Sequence, residues 1–567
     1  MSSTEIRACA KGLPNDPVFT NLVYRATSAN KVIIRDPLQN IEADYAQFLR
    51  DIIHVRLEIS GILPPEILDD HGMIKNDDVY ILLLAPSSYQ YLVALFAILA
   101  IGGAAVLLPP DILPEEIATL ASKCNPRAVA FTPEHQVLAK ELRHHAKEMF
   151  GLEILPIPVT LGEGGNNDSF NRMTVESSTR FPAERPALVQ FTSGSTGSPK
   201  GVVHPRKFFY HLVEVYFGCP MNEANGLQHI LGPDAVYLSY RAFHWGGGIR
   251  NAMAAILAGV CTEIYNHDAT ALGVWERLKR GDVRFFIGWA SMWTWMKRVY
   301  ENDLAVLPQA EVEEYLNGAR GLRLAKSDSN LLMPSVQRFW SNLGVSIGVN
   351  YAATETSISI GKSCLSDDGS DDRSIGVPLN GVSIKLSEGD HGEIRVKTPL
   401  IFSQYIGEPE ATLDVFDEEG YYKSGDLGRF DGKQYIIDGR VSQDFIVLTK
   451  LRVPRVDVET SLMALPNVTE AYVIGVPDSA TVNRVAALIR VKEGKSLTLG
   501  TLRAELAAVL AEHKLPSLLR QLDVETDVPK THSGKFDMKK ARSMFFPQLV
   551  EGDNGSLPCE VEVWDFN

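Results

Sequence analysis

The chain reads as an α/β protein, with a large layered N-terminal domain made of subdomains and a small α+β C-terminal domain. Three observations predict this. Helix-length apolar runs alternate with short strand-like ones, such as residues 128–131, 187–191 and 284–287, the pattern of parallel strands joined by helices. The length of 567 residues is enough for several units of about 150 residues each. The texture then changes near Gly439-Arg440, after which short apolar units at 471–476 and 485–491 accompany a helical pattern near 502–510. The predicted boundaries are 1–439 for the large domain, 440–550 for the small one and 551–567 for an acidic tail, expected to hang loose or pack peripherally.

Taken in order, the N-terminus has no apolar core of the kind a secretory signal needs. Residues 91–108, YLVALFAILAIGGAAVLL, are long and uncharged, but Gly102-Gly103 divide them. They are read as a buried helix, a turn and a buried strand rather than a membrane span. Residues 162–186 and 363–374 have loop compositions, the second strongly acidic. Six cysteines, no two closer than 42 positions, form neither a zinc pattern nor a disulfide framework. They are expected to be free thiols in a reducing, cytoplasmic setting. With 55 basic and 70 acidic residues the formal charge is −15, which argues against a nucleic-acid or anionic-membrane binder. That balance belongs to the large domain and the tail, because residues 440–550 carry 16 bases against 12 acids.

The strongest local signal is Thr192-Ser193-Gly194-Ser195-Thr196-Gly197-Ser198-Pro199-Lys200-Gly201, directly after the apolar strand ALVQF. Three glycines let backbone N–H groups form an anion nest, and five hydroxyls and a lysine add donors. The natural ligand is a polyphosphate, although the Walker order of residues is absent.

Further motifs follow in order. They are Asn350-Tyr351-Ala352-Ala353-Thr354-Glu355, Tyr422-Lys423-Ser424-Gly425-Asp426-Leu427, Gly439-Arg440-Val441-Ser442-Gln443-Asp444 and Pro529-Lys530-Thr531-His532-Ser533-Gly534-Lys535. Together with the loop they resemble the signatures of the adenylate-forming superfamily, which includes acyl-CoA synthetases, peptide-synthetase adenylation domains and luciferases. The resemblance implies a mobile small domain and an ATP- and Mg²⁺-dependent reaction that joins a carboxylate to the α-phosphate. Two anions must meet there, so the site must neutralise charge.

Each role follows by position. Thr192 to Gly197 and Lys200 would take phosphates, and Thr354 would add a hydroxyl. Glu355 would ligate Mg²⁺ as a hard oxygen donor. Asn350, Tyr351 and Ala352 would border the adenine, with Tyr351 offering a flat face. Asp426 and Arg440 would hold the ribose. Lys535 would reach the acid carboxylate during adenylation. Phe243-His244-Trp245 resembles the family's aromatic segment beside the acyl pocket, so His244 is read either as a gate or carboxylate contact or as a core histidine. Trp245 belongs to the same segment. Trp289 either shortens the pocket or packs in the core. Asp328 either meets a polar substrate group or is a loop acid. Arg250 is a candidate partner for a second carboxylate on the acid.

Residues 439–459 resemble the hinge of the malonyl- and medium-chain acyl-CoA synthetase branches, with Ser442 near the pivot. Thr449 and Lys450 stand where that hinge carries paired glycines. The resemblance thus implies acyl transfer to coenzyme A as the second step. One alternative is transfer to a carrier-protein phosphopantetheine or an amine, and another is a nucleotide-binding homologue without turnover. The expected partners are a small carboxylic acid, ATP and coenzyme A or a carrier protein, with no nucleic acid and no membrane span.

Overall fold

The computed structural model describes the chain outside residues 1–11, 29–30, 111–112, 163–174, 177–178, 193–198, 220, 222–229, 233, 266–269, 329–331, 363–372, 441–444, 449–451, 479–481, 524–525, 531–535, 548–557, 559 and 565–567. It divides into two compact units. One comprises residues 1–370, 375–384 and 396–422, the other residues 371–374, 385–395 and 423–567.

Among the described residues the first unit holds two large sheets and a two-stranded one, Leu13–Pro14 with Val175–Glu176. One runs in the order Gln404–Tyr405, Gly201–Pro205, Pro186–Phe191, Ala104–Leu107, Tyr80–Leu84, Ala128–Phe131 and Leu155–Pro158. The last five strands of that series are mutually parallel, and the first two add antiparallel. Residues 91–108 lie inside this unit as the sequence predicts. The helix Tyr89–Ile101 starts at Ser88, whose Oγ accepts from the Tyr91 N–H, and closes at Gly102 in the left-handed region, φ 89°. Every helix residue but Gln90 is buried, which suits a helix apolar on all sides. Among the described residues no helix is long and apolar enough to cross a membrane.

The second sheet of this unit carries, in order, Ser357–Lys362, Ile347–Ala353, Leu324–Asp328, Val283–Trp289, Val236–Ser239, Cys261–Ile264, Val32–Asp36 and Ile41–Asp44. The middle six are parallel. Helices cover it through an aromatic core in which Trp275 stacks on Trp340 at 5.1 Å and Trp293 meets Trp340 edge-on. Three neighbouring parallel strands therefore end at Trp289, Asp328 and Ala353, and ligand sites in parallel sheets gather at such carboxyl ends.

The second unit contains the hairpin of Tyr422–Phe430 with Tyr435–Arg440, apart from Tyr422 itself. It also contains a four-stranded sheet in the order Val468–Asp478, Val482–Val491, Leu518–Gln521 and Val561–Val563. Period-two alternation feeds two cores: Val485, Ala487 and Ile489 join one, Ala486 and Leu488 the other. Of the two expectations for the acidic tail, loose or peripheral, its described residues follow the second, as an edge strand. Val561–Val563 pairs antiparallel with Leu518–Gln521, and the Trp564 N–H donates to Ser517 O at 2.9 Å. The Arg503 guanidinium sits 4.4 Å from the Trp564 ring centre. Glu562 Oε2 accepts from Leu499 N–H at 2.7 Å, placing an anion at the N-terminus of the helix Leu499–Leu506. Deleting residues 558–567 is expected to destabilise this unit by about 2–4 kcal/mol, and Trp564→Ala alone by about 1 kcal/mol, both read from urea unfolding of the full-length protein.

Candidate functional site

The phosphate loop grows from a hairpin. Pro186–Phe191 and Gly201–Pro205 run antiparallel with Phe191 opposite Gly201. The Thr192 N–H donates to Lys200 O at 2.9 Å, and the Lys200 N–H donates to Thr192 Oγ1 at 3.3 Å. The loop mouth is thus closed at Thr192 and Lys200. Ser193, Gly194, Ser195, Thr196 and Gly197 lie outside the described residues. Gly201 is required by a close approach: a Cβ there would stand 2.5 Å from Ile406 Cγ2. The Ile406 N–H donates to Gly201 O at 2.8 Å, and Tyr405 pairs with Val202. This brings the Tyr405 ring beneath Lys200, whose Nζ is 4.8 Å from the ring centre.

The 350–355 motif spans a strand end and a turn. Asn350 and Tyr351 are buried in the strand Ile347–Ala353, Ala352 is exposed and Thr354 half-buried. The turn returns through Ser357 at φ 58°, a strained conformation for serine, with Ser357 Oγ 3.1 Å from the Tyr216 hydroxyl. Glu355 is buried. Its Oε1 accepts from the Tyr405 hydroxyl at 2.7 Å. Burial, and next the Glu355 charge, push the Tyr405 phenol well above its ordinary ionisation, so at neutral pH it donates.

Arg250 supports this turn. It lies in the helix Gly246–Ala258, fully inside the protein. Its Nη2 donates to Thr354 O at 2.7 Å and to Gln190 Oε1 at 2.5 Å, and is 2.8 Å from His204 Nε2; its Nη1 donates to Ala353 O at 3.4 Å. Burial brings its ionisation down to about 10, although Tyr216 and Glu355 oppose that. The expectation that Arg250 meets a second substrate carboxylate is corrected by this geometry. Both its terminal nitrogens are engaged by the protein, which makes it a clamp joining the strands on either side of residues 192–200 to the turn before Glu355.

The aromatic segment lies at the start of the same helix. Phe243 is buried with its N–H on Ser87 Oγ, and Trp245 caps the helix Gly246–Ala258. A Cβ on Gly248 would fall 2.1 Å from Ala242 O, so only glycine fits there. His244 is half-buried, its ring 5.0 Å from that of Trp245. Trp289 and Asp328 are cross-strand neighbours. The Trp289 N–H donates to the Tyr240 hydroxyl at 2.8 Å.

Asp328 fits neither reading offered for it. It is a buried strand-end residue held by both terminal nitrogens of Arg241, with Nη1 to Oδ2 at 2.9 Å. Burial disfavours the Arg241 charge, but Asp328 outweighs it and holds the guanidinium above its ordinary ionisation. The Arg241 guanidinium also faces the Trp289 ring at 5.4 Å. Arg241 escaped the sequence reading because its partner is 87 positions away. One signal was available, a charge closing the otherwise apolar run VYLSY, which in a buried strand demands a partner.

In the second unit, Asp426 and Arg440 are direct partners across the hairpin. Gly425 turns at φ 73°, and the Asp426 N–H donates to Ser424 Oγ at 3.1 Å. The two candidate ribose ligands are thereby adjacent in the backbone. Lys535, Ser442, Thr449 and Lys450 lie outside the described residues. Lys530 and Phe536 bridge on either side of the 531–535 stretch, and Phe536 stacks on Tyr472 at 4.3 Å.

The residues present fit the implied Mg²⁺. Glu355 supplies a hard carboxylate oxygen, and Lys200 supplies a cation for phosphate, both against Tyr405. Among the described residues no group of three metal-ligating side chains occurs. Mg²⁺ held through one carboxylate and substrate phosphates needs none.

Breaking the buried pair by Asp328→Asn is expected to cost about 3–5 kcal/mol. Replacing both partners, Arg241→Met with Asp328→Leu, is expected to cost less, because no lone buried charge remains. Chemical unfolding of the three variants checks the ordering.

Comparison with known proteins places the chain in a family. The AMP-binding enzyme family matches residues 66–406, and the AMP-binding enzyme C-terminal domain matches residues 457–535. An acyl-CoA ligase of Aspergillus oryzae, oryP, is 33% identical over 543 residues, covering 94% of this chain and 93% of that protein. The mitochondrial malonate–CoA ligase ACSF3 of Bos taurus is 26% identical over 501 residues, covering 82% and 81%. Among solved structures, ATP-bound MatB from Rhodopseudomonas palustris superposes with a TM-score of 0.73 at 21% identity, covering 93% of this chain and 99% of that one. The amide bond synthetase McbA from Marinactinospora thermotolerans gives 0.72 at 20% identity, covering 93% and 100%, and so shares the fold. With a family match over most of its length and a relative at one-third identity, the chain belongs to the adenylate-forming superfamily, as an AMP-binding enzyme of the acyl-CoA synthetase family.

Proposed function

We propose that this protein is an ATP-dependent acid–thiol ligase. It activates a carboxylic acid as an acyl-adenylate with release of pyrophosphate, then passes the acyl group to the thiol of coenzyme A. The observation that carries the reading is the meeting of Lys200 and the buried Glu355 at one side chain, Tyr405. A phosphate-binding cation and a metal-binding acid are needed side by side when a carboxylate must approach a polyphosphate.

In this reading the Thr192–Gly197 loop and Lys200 bind the phosphates, and the Thr354 hydroxyl assists them. Glu355 would hold Mg²⁺, which when bound neutralises phosphate charge. Asn350, Tyr351 and Ala352 border the adenine. Asp426 and Arg440 take the ribose hydroxyls. Lys535, delivered by residues 440–550 acting as a lid, reaches the acid carboxylate, and His244 with Trp245 borders the acyl group. The relatives named as acyl-CoA and malonate–CoA ligases support coenzyme A as acceptor. A second reading keeps adenylation and hands the acyl group to a carrier-protein phosphopantetheine or an amine. Thr449 and Lys450, in place of two glycines beside the expected thiol channel, favour it. The buried Cys124 and Cys261 are free thiols, which supports a reducing, cytoplasmic setting.

The test is ATP–pyrophosphate exchange over an acid panel, with coenzyme A, a holo carrier protein and an amine as acceptors. Acid-dependent exchange and a coenzyme A thioester are expected. Monocarboxylates should outperform dicarboxylates, since Arg250 and Arg241 are both engaged within the protein. Lys535→Ala should lower exchange by about 100-fold or more. Exchange untouched by that substitution would overturn the assignment. Thioester formed only on the carrier, or amide only, would replace the acceptor.

A further inference from the structure

Tyr405 lies in no motif discussed above, yet it touches both groups on which adenylation would depend. Its hydroxyl donates to Glu355 Oε1 at 2.7 Å, and its ring face receives Lys200 Nζ at 4.8 Å. Tyr422 is buried beside it in the same aromatic cluster, its hydroxyl among the groups that act on the Tyr405 phenol. Phe402 packs on Tyr405 from the other side at 4.8 Å, and Phe402 N–H donates to Glu355 O at 2.8 Å. Tyr405 is thus held on several sides, in a two-residue strand that registers against Val202 directly after the phosphate loop. Gly201 permits that register, as any side chain there would strike Ile406.

We propose that Tyr405 is a positioning residue that sets Glu355 and Lys200 relative to one another. The hydroxyl restrains one carboxylate oxygen of Glu355 and leaves the other for Mg²⁺. The ring face restrains the ammonium of a flexible lysine without consuming its N–H donors, which stay available for phosphate. A hydroxyl without a ring would restrain only the acid, and a ring without a hydroxyl only the lysine. Tyrosine does both, so the two roles separate by substitution. The inference rests on the adenylation reading, and its readout is binding rather than turnover.

The experiment measures ATP affinity calorimetrically, with Mg²⁺ and with EDTA, and Mn²⁺ binding in the presence of a non-hydrolysable ATP analogue by electron paramagnetic resonance. In Tyr405→Phe the ring remains, so ATP affinity in EDTA should stay within two-fold. The strengthening by Mg²⁺, and the Mn²⁺ affinity, should fall about 10-fold, the size of a hydrogen bond to a charged group. In Tyr405→Leu affinity in EDTA should fall as well, by about 3-fold or more. Adding Tyr405→Phe to Glu355→Gln should cost little further metal affinity, because the hydroxyl acts on the metal only through that carboxylate. Tyr422→Phe, which removes only the outer hydroxyl, should produce a smaller metal defect of about 2-fold, and keeps the test open if Tyr405 variants fold poorly. Metal affinity unchanged in Tyr405→Phe, or equal losses with and without metal, overturns the proposal. If the wild-type protein exchanges no pyrophosphate with any acid, the adenylation reading fails instead, and the two failures are distinguishable.

Discussion

A guanidinium inside a protein must be answered by acceptors, and Arg250 is answered by groups from three separate elements. Gln190 comes from the strand entering the phosphate loop, His204 from the strand leaving it, and the carbonyls of Ala353 and Thr354 from the turn that carries Glu355. Burial, and next the Arg250 charge itself, hold His204 well below its ordinary ionisation, so the imidazole is neutral there. Remove the cation and three sets of buried polar groups lose their common partner at once. The relative placement of Lys200 and Glu355 therefore depends on a side chain that need not touch a substrate. The helix bearing Arg250 starts in a glycine run, and Gly248 lets that helix approach the Ala242 carbonyl closely.

The two buried arginines of this unit divide the work. Arg250 sits among neutral acceptors and its ionisation is lowered, whereas Arg241 faces the full charge of Asp328 and its ionisation is raised. The first holds a turn in place through neutral acceptors alone. The second closes the ends of two neighbouring strands beside Trp289. Buried pairs of this kind add little net stability over an apolar replacement, but they define geometry, because each partner alone would be costly. The Arg241 charge beside Trp289 is thereby balanced by Asp328.

Local chemistry carried much of this in plain view. The glycines at 102 and 103 marked a helix stop and a strand start, since a left-handed cap after an apolar run needs no tertiary information. The motif around Asp426 and Arg440 was legible as two residues for one ligand, and the hairpin register places them opposite each other. Arg250 and Asp328 were legible as charges in apolar surroundings but not as what they are. A sequence shows that a buried charge needs a partner without showing which one, and the partners here lie 46 to 104 positions away. The edge strand in the tail was not legible for a related reason. Its five acids suggested solvation, yet Val561 and Val563 flank Glu562 in an edge strand, a pattern too short to stand out beside the charge.

What the sequence determined by itself was the class of fold and the order of motifs that assign the chain to its superfamily. The alternation of elements is local, so periodicity expresses it, and the superfamily follows from the resemblance of the motifs. Tertiary structure decided which side chains meet. It put Tyr405 under Lys200 and against Glu355 by adding a two-residue strand some 200 positions downstream of the loop. It also turned Arg250 from a substrate-facing candidate into a clamp. Pairings of that kind depend on strand register and on the cost of leaving a buried charge or hydroxyl alone, and both are properties of the packed chain rather than of any segment of it.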